Sequence, residues 1–223
     1  MNPIIALIAT IMLNQQSHAQ TEDRTSVLQI LTKLQTKELK FRKEPLSLID
    51  TFRFALSSVD LPGGIELVGQ CGIGKMELTT SGEWSADDVL GEIIKSQPYL
   101  SREISPLGTV NLVARSARNG LLDVRLTEVV IPDRQMLGPS VNILFHSPLV
   151  LERMNSLGLT LINERLEGFQ KLKQPAPIEM VIKDMTLRQA LNALAALAGD
   201  ASWAYVEESC HGEKKFRLSF NKR

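Results

Sequence analysis

Few residues of this chain have types and spacings that could carry chemistry. Gly69 to Lys75, GQCGIGK, has the G-x-x-x-x-G-K spacing of a phosphate-binding loop. Met76 follows where that motif needs a Ser or Thr to hold Mg²⁺. The next residues, MELTT, favour a strand, whereas a phosphate-binding loop must lead into a helix. We therefore interpret the stretch as a glycine-rich turn and expect no nucleotide or other cofactor.

The acid–base candidates are equally sparse. Cys210 and His211 are neighbours, so on a strand their side chains point to opposite faces and cannot act as a nucleophile–base pair. His146 stands apart from them in the sequence. The paired carboxylates Asp87–Asp88 favour the start of a helix, and Glu207–Glu208 favour a solvated strand or turn. We predict no catalytic residue and no metal site.

The composition is that of an ordinary globular protein. The chain has 223 residues, of which 43% are hydrophobic and 22% charged. This mixture argues against a disordered chain, a collagen or a coiled coil. Because 25 basic residues balance 25 acidic ones, no general attraction to nucleic acid is expected.

The first nineteen residues resemble a signal peptide. Ile4 to Leu13 form a ten-residue apolar run, which is too short to span a bilayer as a helix. Ser17 and Ala19 place small side chains where a signal peptidase requires them. Met1 to Pro3 lack the usual Lys or Arg, and the alternative is a buried N-terminal strand or helix. We predict residues 1–19 to be a signal peptide, cleavage near Ala19, a periplasmic or extracellular protein, and no stable membrane insertion.

Export would place both cysteines in an oxidising compartment. Cys71 and Cys210 could then pair and close a loop of about 140 residues. The alternative is that each is a small buried hydrophobic residue. The sequence leaves both interpretations of the two cysteines open.

The elements that could position these residues form two similar series. The apolar spacing predicts an N-terminal helix over Thr25–Phe41, and a second helix that begins at Pro45. Ser85 with Asp88, and later Thr186 with Gln189, each form a helix-capping pair. The apolar residues that follow these two pairs have the same spacing, and predicted strands flank both helices.

We therefore expect an internal duplication. The predicted strands of the first copy are Ile65–Val68, Met76–Thr79, Leu100–Ile104 and Thr109–Val113, and those of the second are Ile178–Ile182, Trp203–Val206 and Phe216–Phe220. The second copy also has a helix at Pro148–Leu157, and between the copies lie a strand, Leu122–Ile131, and a loop, Pro132–Pro139. The expected fold is α+β, with each repeat a separate small sheet that carries two helices on one face.

The stretch from Ile178 to Gly199, IEMVIKDMTLRQALNALAALAG, together with Trp203 resembles the secretin/TonB short N-terminal (STN) domain. It is also similar to the C-terminal domain of iron-siderophore anti-sigma regulators. Glu83 to Leu90, followed by Tyr99, matches the pattern more weakly. The resemblance implies a domain of the bacterial envelope that makes protein contacts and has no catalytic residues. Neither a secretin channel region nor a TonB-dependent barrel follows the match.

The resulting domain prediction has five parts: a signal peptide at 1–19, an N-terminal helix at 20–44, a first STN-like domain at 45–118, a connecting strand and loop at 119–139, and a second STN-like domain at 140–223. The predicted function is a non-catalytic exported protein that binds an envelope partner. The alternative is a small-ligand binder or hydrolase with a site between the halves. Trp84, Tyr99, Trp203 and Tyr205 are the candidate groove residues, although core packing is the simpler role for them.

Overall fold

The structure, a computed structural model, describes residues 26–115, 119–131, 137–162, 180–199 and 201–221. The predicted signal peptide, residues 1–19, lies outside this part of the chain. The predicted α+β class is confirmed. The first half contains α1 (26–36), β1 (Glu38–Ser47), α2 (Leu48–Ser58), β2 (Gly63–Gln70), β3 (Glu77–Ser85), α3 (Ala86–Ser96), β4 (Leu100–Ile104) and β5 (Val110–Ala114). The second half contains β6 (Arg125–Ile131), α4 (Leu137–Phe145), α5 (Pro148–Leu157), β7 (Leu159–Leu161), β8 (Met180–Thr186), α6 (Leu187–Ala198), β9 (Ser202–Cys210) and β10 (Glu213–Asn221).

The two predicted capping pairs begin α3 and α6. The Ser85 hydroxyl accepts the Asp88 N–H at 3.1 Å, and the Asp88 carboxylate accepts the Ser85 N–H at 3.0 Å. Thr186 and Gln189 make the same reciprocal pair, at 3.2 and 2.8 Å. These bonds satisfy backbone donors that have no partner inside the helix, so each strand passes directly into its helix.

The prediction of a helix as far as Phe41, followed by one from Pro45, is wrong. The first helix has ended by residue 36, and β1 contains both residues. Leu39 is buried while Lys40 is exposed, which is the alternation of a strand. Pro45 pairs with Thr79 in a two-stranded sheet, where each strand is an edge that tolerates proline. α2 instead begins at Leu48, where Ser47 caps it through the Asp50 N–H at 3.0 Å.

The strands form one large sheet and two small ones. The six-stranded sheet has the order β4-β5-β2-β9-β10-β7. β1 pairs with β3, and β6 pairs with β8, both antiparallel. The order β4-β5-β2 in the first half matches β9-β10-β7 in the second, because each has one antiparallel pair followed by one parallel pair.

The expectation of two separate small sheets is therefore wrong. β2 and β9 pair in parallel over eight residues and join the halves into one sheet. Residues 63–67 of β2 and 202–206 of β9 are buried without interruption, as is typical of strands covered on both faces. Each strand would present unpaired backbone groups at an edge if the halves were separate, and their pairing satisfies those groups.

The two halves place their helices on opposite faces of this sheet. Ile65, Leu67 and Ala204 pack with α2 and α3, whereas Trp203 and Phe216 pack with α4 to α6. The helices of each half also contact that half's small sheet. Strands at corresponding places in the two orders run in opposite directions, and the helices of the two halves lie on opposite faces.

The segment between the halves belongs to the second one. β6, which the sequence placed in a connector, pairs with β8 from Arg125↔Thr186 to Ile131↔Met180. Of the predicted loop Pro132–Pro139, residues 132–136 lie outside the described part of the chain, and 137–139 already belong to α4. The predicted helix Pro148–Leu157 is confirmed at both ends.

Candidate functional site

The most elaborate arrangement of side chains lies along the pairing of β2 with β9, which we call the seam. The seam runs in parallel register from Gly63↔Ser202 to Gln70↔Ser209. It joins elements that are far apart in sequence, so each contact across it connects the two halves. Three kinds of contact lie at its start, its middle and its end.

At the start of the seam, Trp203 stacks over Gly64. The Trp203 side chain is fully buried, and its indole N–H donates to the Asn192 Oδ1 on α6 at 2.9 Å. A Cβ at Gly64 would overlap the indole ring. Glycine is therefore required here by the close approach of the ring and not by an unusual backbone conformation.

In the middle of the seam, Glu66 of β2 meets Arg188 of α6. The Arg188 Nε donates to one Glu66 carboxylate oxygen, and its Nη2 donates to the other at 3.2 Å. The Ala114 N–H also lies 3.4 Å from Glu66 Oε2. The remaining guanidinium nitrogen, Arg188 Nη1, donates to the Asp123 carboxylate. The Glu66 side chain is only 1% exposed, so this bidentate pair lies in an environment of low dielectric constant.

The electrostatics of this cluster follow from its burial. Burial raises the pKa of Glu66, and the hydrogen bonds and charge of Arg188 oppose that rise. Burial alone would lower the pKa of Arg188, but Glu66 and Asp123 together raise it, so the guanidinium remains charged. Burial, together with the neighbouring Glu207 carboxylate, raises the pKa of Tyr205, whose hydroxyl donates to Glu207 Oε2 at 2.6 Å.

At the end of the seam, Cys71 and Cys210 lie within disulfide-bonding distance, with their Cα atoms 5.1 Å apart. The parallel register brings them together, since each follows directly after the last pair, Gln70↔Ser209. This Cα separation is within the range that a disulfide requires. The sequence left the pairing open because it could not place these two strand ends side by side.

The glycine-rich turn after Cys71 contacts the second half. Gly72 has φ +85°, and residues 73–75 form a single turn of 3-10 helix. The Gly74 N–H donates to Glu208 Oε1 of β9 at 3.1 Å. A Cβ at Gly74 would overlap the guanidinium of Arg217. The glycines thus allow the turn to lie against β9 and β10, and β3 follows them, as the sequence predicted.

A cleft of about 430 Å³ opens beside the Glu66–Arg188 pair. Ser101, Glu103 and Arg115 of the first half line it, together with Asp123 and Arg188 of the second. Its walls carry both signs of charge, which favours a polar or zwitterionic molecule over a simple anion. A second cleft of about 460 Å³ is also lined by Asp123, together with other residues of 119–125 and residues of α5.

The four predicted aromatic groove residues do not line one groove. Trp203 and Tyr205 belong to the core of the second half, whereas Trp84 and Tyr99 pack against the core of the first. The Trp84 indole N–H donates to the Ser81 carbonyl at 2.9 Å. Burial raises the pKa of Tyr99 to about 12.

The two histidines within the described ranges, His146 and His211, lie apart from the Glu66–Arg188 pair. His146 is exposed at the end of α4, where its Nδ1 lies 2.8 Å from the Asn142 carbonyl. His211 is exposed in the β9–β10 turn. Within the described ranges, no three His, Cys, Asp or Glu side chains are placed to hold a metal ion.

Sequence reasoning missed the Glu66–Arg188 pair. Its signal was a single carboxylate inside an otherwise apolar strand, GGIELVG, because a charged residue there needs a partner. The helix that supplies the partner is more than a hundred residues away, so the sequence alone did not identify it.

In the described part of the chain, no helix has the length and apolar character needed to cross a bilayer. Comparison with protein-family models, with curated proteins and with solved structures finds no match to this chain.

Proposed function

We propose that this protein is a non-catalytic exported, periplasmic protein that consists of two STN-like domains and binds a protein of the bacterial envelope. The observation that carries the proposal is the recurrence of one topology in both halves. In each half, a strand that pairs antiparallel with an earlier strand leads into a capped helix. The two strands after that helix form an antiparallel hairpin, and the second of them pairs in parallel with a third strand.

The register supports an internal duplication more closely than the strand order alone. Glu38, the first residue of β1, pairs with Ser85, which caps α3. Arg125, the first residue of β6, likewise pairs with Thr186, which caps α6. Two unrelated folds would have no reason to align the start of a strand with the cap of a later helix.

Export rests on the N-terminal sequence and on the cysteine pair. A disulfide between Cys71 and Cys210 persists in an oxidising compartment, and the two residues are positioned to form one. Expression of the full chain in a Gram-negative host, followed by fractionation and intact mass measurement, tests this part. We expect a periplasmic product that begins after Ala19 and has no free thiol. A cytoplasmic product of full length would contradict export.

Partner binding is tested by photo-crosslinking in cells. A photoreactive amino acid at Glu103, on the outer strand β4, or at Thr160, on the outer strand β7, should give a discrete adduct with an envelope protein. The same group at Lys95, an exposed residue of α3, is the matched control. Equal labelling at all three positions, or none, would contradict a partner that binds the sheet edges.

The cleft beside Arg188 favours a second candidate, a small-ligand binder or hydrolase with a site between the halves. Ser101, Glu103 and Arg115 come from one half, and Asp123 and Arg188 from the other. A thermal-shift screen of polar periplasmic metabolites tests it, because a ligand that binds the folded state raises Tm. The shift should disappear in Arg115→Ala, which lines the cleft and lies outside the Glu66–Arg188–Asp123 cluster. A screen without any stabilising compound would argue against this candidate.

A further inference from the structure

We infer that copies of this protein associate head to tail, with β7 of one copy paired in parallel to β4 of the next. This inference deepens the proposed function by naming a second copy of the chain as one partner. It starts from the seam, where the same kind of junction already exists inside one chain.

The seam is a template for the contact because the two halves repeat in one direction across the sheet. Across the sheet from β4 to β7, β2 is the last strand of the first half, and β9 beside it is the first strand of the second half. A half-turn about an axis that crosses the strands, combined with a shift along the sheet, would carry the strand order of the first half onto that of the second; applied once more, it places a new β4 next to β7. Two half-turns restore the strand direction, so β7 and the new β4 run parallel, as β2 and β9 do.

Both outer strands have backbone groups that point outward. The Ser105 N–H donates to the Thr109 carbonyl and the Arg115 N–H to the Tyr99 carbonyl, both at 2.9 Å. Along an antiparallel pair, residues that bond to the partner strand alternate with residues whose backbone groups point away from it. Arg102 lies three residues from both Tyr99 and Ser105, which bond inward, so its N–H and C=O point away from β5.

The same argument applies to β7. The Ile162 N–H donates to the Phe216 carbonyl of β10 at 2.8 Å, so Thr160 also bonds inward. Leu161 therefore presents its N–H and C=O to the outer edge, and its side chain is 39% exposed. On the neighbouring α5, Leu151 is 40% exposed. Pairing with another β4 would satisfy these backbone groups and place apolar surface of this edge next to a second copy.

The contact is heterologous, because the two surfaces that meet are different. Such a contact does not close on itself when the repeat is a translation, and it therefore adds copies without a fixed number. Only a few backbone hydrogen bonds contribute at each junction, so we expect weak association that grows with concentration, unlike the eight-residue seam inside the chain.

Sedimentation velocity of the oxidised protein, purified as its periplasmic product, over roughly a hundredfold range of concentration tests the inference. The weight-average mass of the wild type should rise past twice the monomer without a plateau. Arg102→Pro and Leu161→Pro each remove one outward N–H, at edge positions that tolerate proline. Each variant should remain monomeric when alone, because every junction needs both an intact β4 and an intact β7, and Arg102→Ala and Leu161→Ala should associate as the wild type does. The Ala variant at Arg102 also controls for loss of its ion pair with Asp87.

Mixing the two proline variants gives the sharpest result. Arg102→Pro keeps a free β7 and Leu161→Pro keeps a free β4, so an equal mixture should form a 1:1 dimer that grows no further. A wild type that stays monomeric at every concentration would overturn the inference, and so would a closed dimer or a mixture without heterodimer. Proline variants that match their alanine controls would also overturn it. A monomeric protein that still crosslinks to another envelope protein leaves the proposed function standing.

Discussion

Replacement of Arg188 by methionine is the perturbation that tests the seam most directly. Methionine keeps the apolar stem of the side chain but removes both hydrogen bonds to Glu66 and the bond to Asp123. Glu66 would keep only its contact with the Ala114 N–H, while its side chain is 1% exposed. The variant therefore leaves a buried carboxylate without a compensating charge.

The expected loss of stability is large. Removal of one partner from a buried ion pair costs about 3–5 kcal/mol, mostly because the other charge remains buried. Arg188 is 18% exposed and Asp123 26%, so water screens part of the pair. We therefore expect the lower end, about 3 kcal/mol, which is a sizeable part of the total stability of about 5–15 kcal/mol that is usual for a folded protein.

The pH dependence separates this cause from a packing defect. Burial raises the pKa of Glu66, and in Arg188→Met the opposing influence of the guanidinium is gone. The folded state then binds a proton more tightly than the unfolded state, whose glutamate pKa lies near 4.5. The variant should therefore recover stability, relative to the wild type, as the pH falls from about 7.5 towards about 5. A defect of packing alone would not change with pH in this way.

Urea unfolding of the oxidised protein, followed by far-ultraviolet circular dichroism, measures the effect. With a urea dependence of about 2–3 kcal/mol per molar, the midpoint should fall by about 1–1.5 M. Glu66→Gln combined with Arg188→Met is the matched control, because it removes both charges and should recover most of the loss. A loss below about 1 kcal/mol, a double variant no more stable than the single one, or a loss that is constant with pH would refute the reasoning.

Three further changes test other contacts by the same unfolding measurement. Gly64→Ala should lower the free energy of unfolding by at least about 1–3 kcal/mol, because its Cβ would overlap the Trp203 ring. Gly91→Ala in α3 is the control, since its Cβ meets no neighbouring atom, and it should be neutral or stabilising. Equal effects of the two changes would contradict the close-packing argument. Cys71→Ala should lower the free energy of unfolding by about 2 to 5 kcal/mol, because a disulfide with Cys210 closes a loop whose ends are 139 residues apart. An unchanged urea midpoint would mean that the two cysteines are not bonded. Thr186→Ala should lose about 1 kcal/mol through its capping bond, and full retention of stability would show that this cap is not needed.

Local signals in the sequence identified several helices well. The capping pairs placed the starts of α3 and α6, and both pairs form as expected. Pro148 and Gly158 bound α5, because proline fits the first turn and Gly158, with φ +65°, fits a left-handed helix end. These features depend on residues within one or two turns, so a single sequence contains them.

Pairing between distant strands could not be read in the same way. The helical spacing of the apolar residues before β1 predicts a helix that runs on to Phe41. The partner strand of β1 is distant in sequence, since Glu38 pairs with Ser85 and Ser47 with Glu77, and no local signal announces that pairing. The union of the two halves in one sheet was also missed. The uninterrupted burial of β2 and β9 fits a central position in a sheet, but many other pairings would have satisfied the same apolar patterns.

The three contacts along the seam constrain what the protein can do. Trp203 against Gly64, Arg188 with Glu66, and Cys71 beside Cys210 lie at its start, middle and end, so a hinge between the halves would have to break contacts of three different kinds. A site that works by opening and closing the halves is therefore disfavoured, because opening would unstack Trp203 from Gly64 and would be limited by a bond between Cys71 and Cys210. A rigid body with open outer strands presents the same edges at all times. Binding through those edges requires no change of shape, and for this reason our proposal assigns partner recognition to β4 and β7 and not to a site between the halves.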